Sequence, residues 1–401
     1  MRILHTSDWH LGRTLHGVDL CGAHAAFIDH LVGLARESSV DAVVVSGDVF
    51  DRALPPLESV SLLDEALVRL TDVAPVVLIP GNHDSAQRLG LNAALLRDEL
   101  HICSRIADIG RPVVLPDRNG HDGLLVYAIP YLDPDMSRDA VGLELGLPAG
   151  ERLARSHEAV VGAALSLIRQ DLARRRATSQ LPALVMAHAF VTGGKASDSE
   201  RDLRIGGVDS VPAELFARCG ADYVALGHLH GPQAVAGSTA PGTPGAVMRY
   251  AGSPLAFSFS EQHHHKSTAV VDIDAHGGVS RVELVPCPVP RRLSDVFGTI
   301  EEVLGPRFDA QHDDWVRVQV TGPARPEDLR RRVRQAFPHV LETRFVPDSP
   351  THRAPLASAG RVDPVEVVAG FVTEVSGLAP SPAERAVLVD AVESAARQEA
   401  R

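Results

Sequence analysis

Side chains that could bind metals or transfer protons recur at five places in the chain, each directly after a short apolar run. These places are Asp8-Trp9-His10, Gly47-Asp48, Gly81-Asn82-His83-Asp84, His188 and Gly227-His228-Leu229-His230. Carboxylates, imidazoles and an amide oxygen are donors for Mn²⁺, Fe²⁺ or Zn²⁺, and Asp48 could bridge two metals through its two oxygens. Two metals about 3.5–4 Å apart clamp a phosphodiester and activate a water for attack. The set therefore predicts a two-metal phosphoesterase site.

The apolar runs before these segments have the length and composition of buried strands. They are Ile3-Leu4, 42–45, 76–79, 184–186 and 223–226. Helices are predicted between the runs, at 23–38, 57–71, 87–97 and 153–176. This alternation predicts an α/β or α+β fold in which helices cover a β-sheet in layers. Because loops at the carboxyl ends of strands in such folds converge on a crevice, we expect the five segments to meet in one site.

The pattern of predicted elements changes at about Val247, after which strands follow one another without long helices. The strands expected here, which should add a second sheet to the same domain, are 248–250, 268–273 and 282–285. The proline-rich stretch 286–290 is a stiff break. We therefore expect the first domain to span residues 1–285.

A small α+β domain is predicted at 291–347, followed by a linker at 348–361 and a helical tail at 362–401. The elements predicted within the small domain are a helix at 293–304, a strand at 315–320, a helix at 326–336 and a strand at 340–346. The tail has apolar residues at spacings of three and four, which is typical of an amphipathic helix pair. This pair could dock on its own domain or bind a partner.

The formal net charge of −12 is unusual for a protein that binds DNA alone, since such proteins carry a basic patch. Carboxylates that bind divalent metals would have their charge offset locally. A partner subunit could supply the remaining attraction for a polyanion. The charge therefore favours a subunit of a complex over an independent DNA-binding protein.

Composition also predicts a cytoplasmic protein without membrane contact. No apolar run reaches the roughly 18 residues that cross a bilayer, and the first residues do not resemble a signal peptide. The four cysteines, Cys21, Cys103, Cys219 and Cys287, lie far apart and form no CxxC pair. This spacing is typical of reduced thiols in the cytoplasm.

The five segments in this order resemble the calcineurin-like metallophosphoesterases, which carry DxH, GDxxD, GNHD, a single histidine and GHxH. The wider sequence is similar to the SbcD family of nuclease subunits within that group. The segments that carry this similarity are 5–12, 46–52, 197–201, 206–209, 227–233 and 252–260. The resemblance is dense from residue 2 to about 275, and the layout continues to the C-terminus.

The resemblance implies a role for each residue of the five segments. One metal would be bound by Asp8, His10, Asp48 and His230. The other would be bound by Asp48, Asn82, His188 and His228. Catalytic roles are implied for His83, Asp84 and Asp51. His83 would not bind metal but would stabilise the transition state or protonate the leaving oxygen. Asp84 would orient His83 or cap its turn, and Asp51 would hold a site histidine.

The resemblance also implies a function and partners. The chain would be a metal-dependent double-strand exonuclease and single-strand or hairpin endonuclease that uses two divalent ions, with Mn²⁺ expected. It would work in DNA end processing, recombination, replication and repair as a homodimer, within a heterotetramer that contains an SbcC-type coiled-coil ATPase. The small domain would cap the site, and Arg330, Arg331 and Arg334 on its helix would contact DNA. The tail would bind the ATPase.

Two other functions use the same residues. A phosphodiesterase for small molecules or cyclic nucleotides needs the five segments but neither the small domain nor the tail. A non-catalytic scaffold would keep the fold with a vestigial site, although every expected ligand position here holds a competent donor. Cleavage of duplex DNA compared with an aryl phosphodiester separates the first alternative, and metal content separates the second.

Overall fold

The computed structural model describes residues 1–96, 99–148, 150–200, 210–243, 245–348 and 363–399, the last seven of them without their side chains. The described chain divides into two compact units, Met1–Pro290 and Arg291–Arg401. Arg201, the segment 206–209 and residues 349–361 of the predicted linker lie outside the described residues.

Strands and helices alternate along the first unit, as the sequence predicts. Its strands are β1 (Arg2–Thr6), β2 (Thr14–Leu15), β3 (Val18–Asp19), β4 (Ala42–Ser46), β5 (Val76–Ile79), β6 (Leu100–Ile102), β7 (Val113–Pro116), β8 (Asp122–Ile129), β9 (Ala183–His188), β10 (Tyr223–Gly227), β11 (Gln233–Ala234), β12 (Val247–Tyr250), β13 (Ser267–Ile273) and β14 (Val279–Pro286). Its helices are α1 (Cys21–Glu37), α2 (Leu57–Thr71), α3 (Ala86–Leu89), α4 (Pro134–Leu145), α5 (His157–Arg176) and α6 (Ala213–Ala217), with 3₁₀ turns at Ala93–Leu95, Ile106–Asp108 and Phe259–Glu261.

In the described part of this unit, two six-stranded sheets carry the fold. The first sheet has the order β14-β13-β1-β4-β5-β6, and the second has the order β11-β12-β10-β9-β8-β7. The strands β1, β4, β5 and β6 are parallel, as are β8, β9, β10 and β12. The flanking strands β13, β14, β7 and β11 run antiparallel to their neighbours. Parallel central strands bring their carboxyl ends to one edge of each sheet.

Four layers, helix, sheet, sheet and helix, share three apolar cores. Successive residues of a strand point to opposite faces, so both faces of β4 are covered. Val44 belongs to the core between the two sheets, together with Leu184 of β9. Val43 belongs to the core that includes Phe27 of α1. A third core covers the outer face of the second sheet and includes Ile168 of α5.

The expectation that the strands after Val247 form a second sheet of their own is wrong. β13 and β14 extend the first sheet beside β1, with Arg2–His5 paired to Ala269–Asp272, and β12 joins the second sheet beside β10. Both sides of β1 are buried, so it needs a hydrogen-bonding partner at each edge. Strand β13, which is buried along nearly its whole length, supplies the second partner.

Two helix predictions in the first unit also need correction. The helix predicted at 87–97 is reduced to α3 and a 3₁₀ turn, because Gly90 ends α3 and Asn92 has a positive φ of 61°. Helix α4 is not predicted, although it begins at Asp133-Pro134, where the Asp133 side chain accepts a hydrogen bond from Asp135 N at 2.8 Å. Both features are common helix boundary signals.

The second unit begins with a small parallel sheet. Its strands are β15 (Leu293–Thr299), β16 (Trp315–Gly322) and β17 (Val340–Pro347), in that order, and its helices are α7 (Ile300–Val303) and α8 (Leu329–Ala336), with a 3₁₀ segment at Pro306–Gln311. The helix predicted at 293–304 is wrong, because its first seven residues form β15. Apolar residues at 293, 296, 300 and 303 are spaced as in a helix, but residues 293–299 pair with 315–321, and a Thr299–Glu302 capping box begins α7 only at Ile300.

The tail forms two helices, as the sequence predicts. They are α9 (Pro364–Ser376) and α10 (Pro382–Glu399). The Asp363 side chain caps the start of α9, and Gly377, with φ of 76°, ends it. None of the helices in the described ranges combines the length and the apolar character that a bilayer crossing requires.

Candidate metal centre

The loops that follow β1 and β4 are joined by backbone hydrogen bonds. Asp8 N donates to Gly47 O at 2.9 Å, and His10 N donates to Asp48 O at 3.0 Å. These bonds continue the pairing of the two parallel strands past their ends. The side chains of the first two segments are therefore held at one place.

Glycine is required where the remaining loops approach β4 and Asp48. A Cβ on Gly81 would lie 2.2 Å from Asp48 Oδ1, and a Cβ on Gly227 would lie 1.9 Å from Ser46 O. Both distances are shorter than any side chain tolerates. The glycines of the GNHD and GHxH segments thus permit the loops after β5 and β10 to close on Asp48.

One group of donors is formed by Asp8, His10, Asp48 and His230. The Nε2 atoms of His10 and His230 are 3.1 Å apart, and His10 Nε2 is 3.6 Å from Asp48 Oδ2. Asp8 offers a carboxylate oxygen within 4.8 Å of ligand atoms of His10 and His230. All four residues are almost fully buried. These are the four residues that the resemblance assigns to one metal.

A second group lies on the other side of Asp48. Asn82 Oδ1 is 2.9 Å from His188 Nε2 and 3.2 Å from His228 Nδ1, and His188 Nε2 is 3.4 Å from Asp48 Oδ2. His188 Nδ1 donates to Ser46 O at 2.9 Å, so Nε2 is the nitrogen that faces Asn82 and Asp48. The oxygen Asp48 Oδ2 is therefore shared between the two groups.

Backbone strain is concentrated at these residues. Asp8, His10, Asp48 and His228 have φ angles of 54°, 47°, 49° and 111°, in the region that favours glycine. Such conformations cost about 1–3 kcal/mol each and persist where the surrounding structure enforces them for a functional reason. Four of the eight non-glycine residues with positive φ in the described chain therefore lie among the candidate ligands, which supports a functional role for this place.

The protonation states suit a cation. Burial lowers the pKa of His10 and of His228 well below the ordinary histidine value, so both rings are neutral. Burial opposes ionisation of Asp48, yet the neighbouring His188 holds the pKa of that carboxyl well below its usual range. Burial raises the pKa of Asp8 to about 6. Burial disfavours a charged His188, yet the carboxylate of Asp48 raises the pKa of that ring to about 9. His188 and Asp48 therefore share a proton that a divalent metal ion would displace on binding.

His83 and Asp84 of the third segment have different contacts. His83 Nδ1 is 2.8 Å from Asp51 O, and the ring packs edge-on against His10 with centroids 4.7 Å apart. His83 could also reach a metal, since it offers a nitrogen within 4.8 Å of ligand atoms of His10 and Asp48. The Asp84 carboxylate accepts hydrogen bonds from the backbone N–H groups of Val49, Phe50 and Gly81 at 2.9–3.0 Å, which joins the loops after β4 and β5.

Asp51 faces two groups with its carboxylate. Its Oδ1 is 3.3 Å from Arg13 Nη1 and 3.8 Å from His10 Nδ1. The second distance is too long for a hydrogen bond. Arg13 also donates to Ser199 O at 3.1 Å, so it links the first segment to the loop at 197–200.

A cleft of about 460 Å³ opens beside His83. The residues that line it are Arg13, Thr14, Asp51, Arg52, Ala53, Asn82, His83 and Asp84. Arg52 is exposed, and no carboxylate of the described chain forms an ion pair with it. The cleft therefore exposes His83 and the candidate ligand Asn82 beside two arginines.

The three arginines predicted to contact DNA lie in the second unit. Arg330, Arg331 and Arg334 are exposed on α8 and line a surface cleft of about 580 Å³. Arg331 forms an ion pair with Asp328 of the same segment. This cluster belongs to the other compact unit and is separate from the metal-ligand residues in the chain.

A set of polar residues behind His230 has no signal in the sequence. Glu261 is 1% exposed and lies 3.3 Å from His230 Nδ1, and its other oxygen is paired with Lys266, which is 7% exposed. Glu200 accepts a hydrogen bond from His230 N at 2.7 Å. The segments 197–201 and 252–260 border these residues, but nothing in their composition indicates burial against a histidine.

Comparison with known proteins agrees with this geometry. The model of the calcineurin-like phosphoesterase family matches residues 1–232, and the model described as the type 5 capsule protein repressor C-terminal domain (SbcD_C) matches residues 289–376. The SbcD component of nuclease SbcCD from Escherichia coli K12 is 31% identical, covering 83% of this chain and 81% of its own. The SbcD component from Rhodobacter capsulatus is 37% identical, covering 75% of this chain and 73% of its own. The component from Bacillus subtilis is 32% identical, covering 86% of this chain and 86% of its own. The predicted resemblance is confirmed, and the chain belongs to the calcineurin-like phosphoesterases, within the SbcD family of nuclease subunits.

Proposed function

We propose that this protein is a metal-dependent DNA nuclease that hydrolyses phosphodiester bonds as the SbcD-type subunit of a larger complex. The observation that carries the proposal is the position of Asp48 Oδ2, 3.6 Å from His10 Nε2 and 3.4 Å from His188 Nε2. One carboxylate oxygen between two groups of imidazole ligands is the arrangement that a bridged pair of metals requires. The names of the relatives supply the substrate class.

Two divalent ions, with Mn²⁺ as our expectation, are part of the proposal. Asp8, His10 and His230 would hold one ion, Asn82, His188 and His228 the other, and Asp48 both. When bound, such ions polarise the phosphate and lower the pKa of a coordinated water. The mixture of imidazole nitrogens with carboxylate and amide oxygens supports Mn²⁺, Fe²⁺ or Zn²⁺ over Ca²⁺ or Mg²⁺, which favour oxygen ligands alone.

His83 has the contacts of a general acid. The carbonyl of Asp51 can only accept a hydrogen bond, so His83 Nδ1 donates to it and carries a proton. This bond fixes the ring, and His83 lines the cleft. We propose that His83 protonates the leaving oxygen or stabilises the charge that develops on the phosphate.

Asp84 and Asp51 would act on His83 through the backbone. Asp84 holds the GNHD loop against the loop after β4 by two hydrogen bonds and accepts a third from Gly81 within its own loop. Asp51 provides the carbonyl that orients the His83 ring. Arg13 and Arg52 line the cleft and would contact phosphate groups that flank the scissile bond. Arg13 is already paired with Asp51, so Arg52 is the freer cation for this purpose.

The second unit supplies the features that a phosphodiesterase for small molecules does not need. We propose that the small domain caps the site and that Arg330, Arg331 and Arg334 contact the DNA backbone. The match of the SbcD_C model to residues 289–376 supports a shared role for this region in the family. With a net charge of −12, the chain would still depend on a partner for much of its DNA affinity.

An SbcC-type coiled-coil ATPase is the proposed partner, and α9 is the proposed binding surface. Val367, Phe371 and Val375 of α9 are exposed, which leaves an apolar stripe at helical spacing uncovered. The relatives are named as subunits of a complex, which supports a partner protein. A cytoplasmic location and roles in replication, recombination and repair remain predictions.

A homodimer within a heterotetramer is the proposed assembly. Leu57, Val60 and Val68 are exposed along one side of α2. An apolar side on a long surface helix supports contact with a second copy of the chain. Measurement of the molar mass of the isolated chain and of its complex in solution tests this part.

Cleavage of end-labelled duplex and hairpin DNA, with and without Mn²⁺ and the ATPase partner, tests the proposed activity. We expect Mn²⁺-dependent cleavage by the isolated subunit and ATP dependence only with the partner. Hydrolysis of an aryl phosphodiester without cleavage of DNA would favour a small-molecule phosphodiesterase. Metal-free protein that stays inactive after Mn²⁺ is added would favour a scaffold.

A further inference from the structure

A hydrogen-bonded chain runs from His230 through the half-buried Ser199 to a buried ion pair. His230 Nδ1 is 2.7 Å from Ser199 Oγ, and the Ser199 hydroxyl donates to Glu261 Oε1. The Lys266 ammonium donates to Glu261 Oε2, to His230 O at 2.9 Å and to Ser253 Oγ at 2.8 Å. His230, Glu261 and Lys266 are each less than 10% exposed.

The direction of these hydrogen bonds fixes the proton on His230. Glu261 is paired with a lysine, so it is a carboxylate and can only accept. Its short contact with Ser199 therefore holds the hydroxyl proton of Ser199, and the Ser199 oxygen is left to accept from His230 Nδ1. In this arrangement Nδ1 is the protonated nitrogen, and Nε2, the atom that faces His10 Nε2, is the nitrogen available to a metal ion.

We propose that Glu261 is a positioning residue for metal binding, which acts through Ser199 to hold His230 in the tautomer and orientation that a metal ion requires. Carboxylates that accept from the far nitrogen of a metal-binding histidine are worth about 10–100-fold in metal affinity. Lys266 offsets the charge of Glu261 and holds the His230 carbonyl, so the pair adds orientation without adding net charge at the centre. This inference rests on the proposed function, because it presupposes a metal at His230.

The four proposed metal-ligand histidines differ in the group that orients the ring. His188 is oriented by the backbone carbonyl of Ser46, and His10 Nδ1 has its nearest carboxylate oxygen at 3.8 Å, on Asp51. In the described part of the chain, only His230 is held through a buried carboxylate with its own counterion. Loss of Glu261 should therefore weaken the metal held by His230 and leave the metal held by His188 and His228.

The test variants keep the buried charges balanced, because an unpaired Lys266 would be destabilising on its own. Glu261→Met with Lys266→Met removes the acceptor and both charges at similar volume. Glu261→Gln with Lys266→Met keeps an acceptor oxygen at the same place. Asp171→Asn is the control, because Asp171 pairs with Arg175 and Tyr127 away from the metal-ligand residues. Ser199→Ala interrupts the chain at a single hydroxyl and serves if a double variant fails to fold.

Titration of the metal-free full-length chains with Mn²⁺ by calorimetry, together with their thermal melting curves, tests the proposal. The Met/Met variant should lose about 10–100-fold in affinity in one of two binding steps, the Gln/Met variant should recover most of this loss, and Ser199→Ala should lose about 10-fold. The control should bind Mn²⁺ as the wild type does. Equal affinity in the wild type, Met/Met and Ser199→Ala chains would overturn the role of Glu261, as would an equal loss in the Met/Met and Gln/Met variants. Wild-type protein that binds no Mn²⁺ would instead overturn the proposed metal site itself.

Discussion

At the scale of single residues, the types and order of the candidate ligands could be predicted from the sequence, but the groups that orient them could not. Each of the predicted ligands follows a strand, so topology brings it to the same edge. Glu261 does not follow a predicted strand, so the sequence gives no indication that it lies near the ligands. Its burial depends on a contact with Lys266 and on contacts with Ser199 and His230, which are distant from it in the sequence.

The same limit applies to Asp84 and Asp51. Proximity to the GNHD and GDxxD segments indicated that they belong to the site. It did not indicate that Asp84 would accept three backbone hydrogen bonds or that Asp51 would contact His83 through its carbonyl. Backbone contacts of this kind depend on loop conformation, which side-chain patterns do not specify.

His83→Leu tests the proposed division between metal binding and proton transfer. We expect both metals to stay bound, while Mn²⁺-dependent DNA cleavage falls by roughly 10²–10⁴-fold, the loss typical of a general acid. Cleavage rates and bound manganese are measured on the same preparation, with the exposed His121→Leu as control. Loss of metal together with activity would show that His83 is a ligand.

At the scale of elements, the buried parallel strands could be predicted because they are short, apolar and followed by turn signals. The helix predicted at 293–304 shows where this reasoning fails. The helical spacing of its apolar residues is genuine, but seven residues in register with β16 gain backbone hydrogen bonds that only tertiary structure offers. The pairing of β13 with β1 has the same origin, since Ile3 pairs with Val271 from the far end of the first unit and no local pattern records that proximity.

Helix α1 carries a buried histidine that should make the fold sensitive to acid. His24 is 0% exposed, and burial lowers its pKa to about 4. The folded chain therefore holds His24 neutral, while the unfolded chain takes up a proton below about pH 6.5. Because the pKa in the folded state is the lower one, stability is lost as the pH falls from 6.5 towards 4.

His24→Leu should remove this loss. Between pH 7 and pH 5, wild type should lose about 2 kcal/mol in the free energy of unfolding through protonation of His24 in the unfolded chain, and the variant should not show this loss. Urea unfolding of the metal-free proteins at both pH values measures the difference, and the exposed His276→Leu is the matched control. A pH dependence identical in wild type and His24→Leu would show that His24 gains a proton in the folded state.

At the scale of the whole molecule, the first unit carries the candidate metal-ligand cluster, and the described residues of the second unit contain no such cluster. The tail was predicted from its apolar spacing, and α9 leaves Val367, Phe371 and Val375 exposed. The spacing of apolar residues predicts an amphipathic helix, but it does not predict whether the apolar side binds its own domain or a partner. The interpretation we propose is a partner surface.

Deletion of residues 362–401 tests that interpretation. The truncated chain should stay folded and cleave DNA in Mn²⁺, but it should no longer co-purify with the SbcC-type ATPase. In the full chain, Phe371→Ser should weaken the complex, whereas Glu374→Ser on the same helix should not. Unfolding or aggregation of the truncated chain would show that the tail completes its own unit.

The proposed function requires Asp48 to bridge two metal ions at the site that hydrolyses DNA. The most direct measurement is Mn²⁺-dependent cleavage of end-labelled duplex DNA by wild type and Asp48→Asn, with bound manganese counted in the same samples. We predict two manganese ions per wild-type chain. The variant should hold fewer and cleave roughly 10³-fold more slowly or worse, because it loses several kcal/mol of charge stabilisation. An Asp48→Asn protein that retains both ions and cleaves at the wild-type rate would contradict the account.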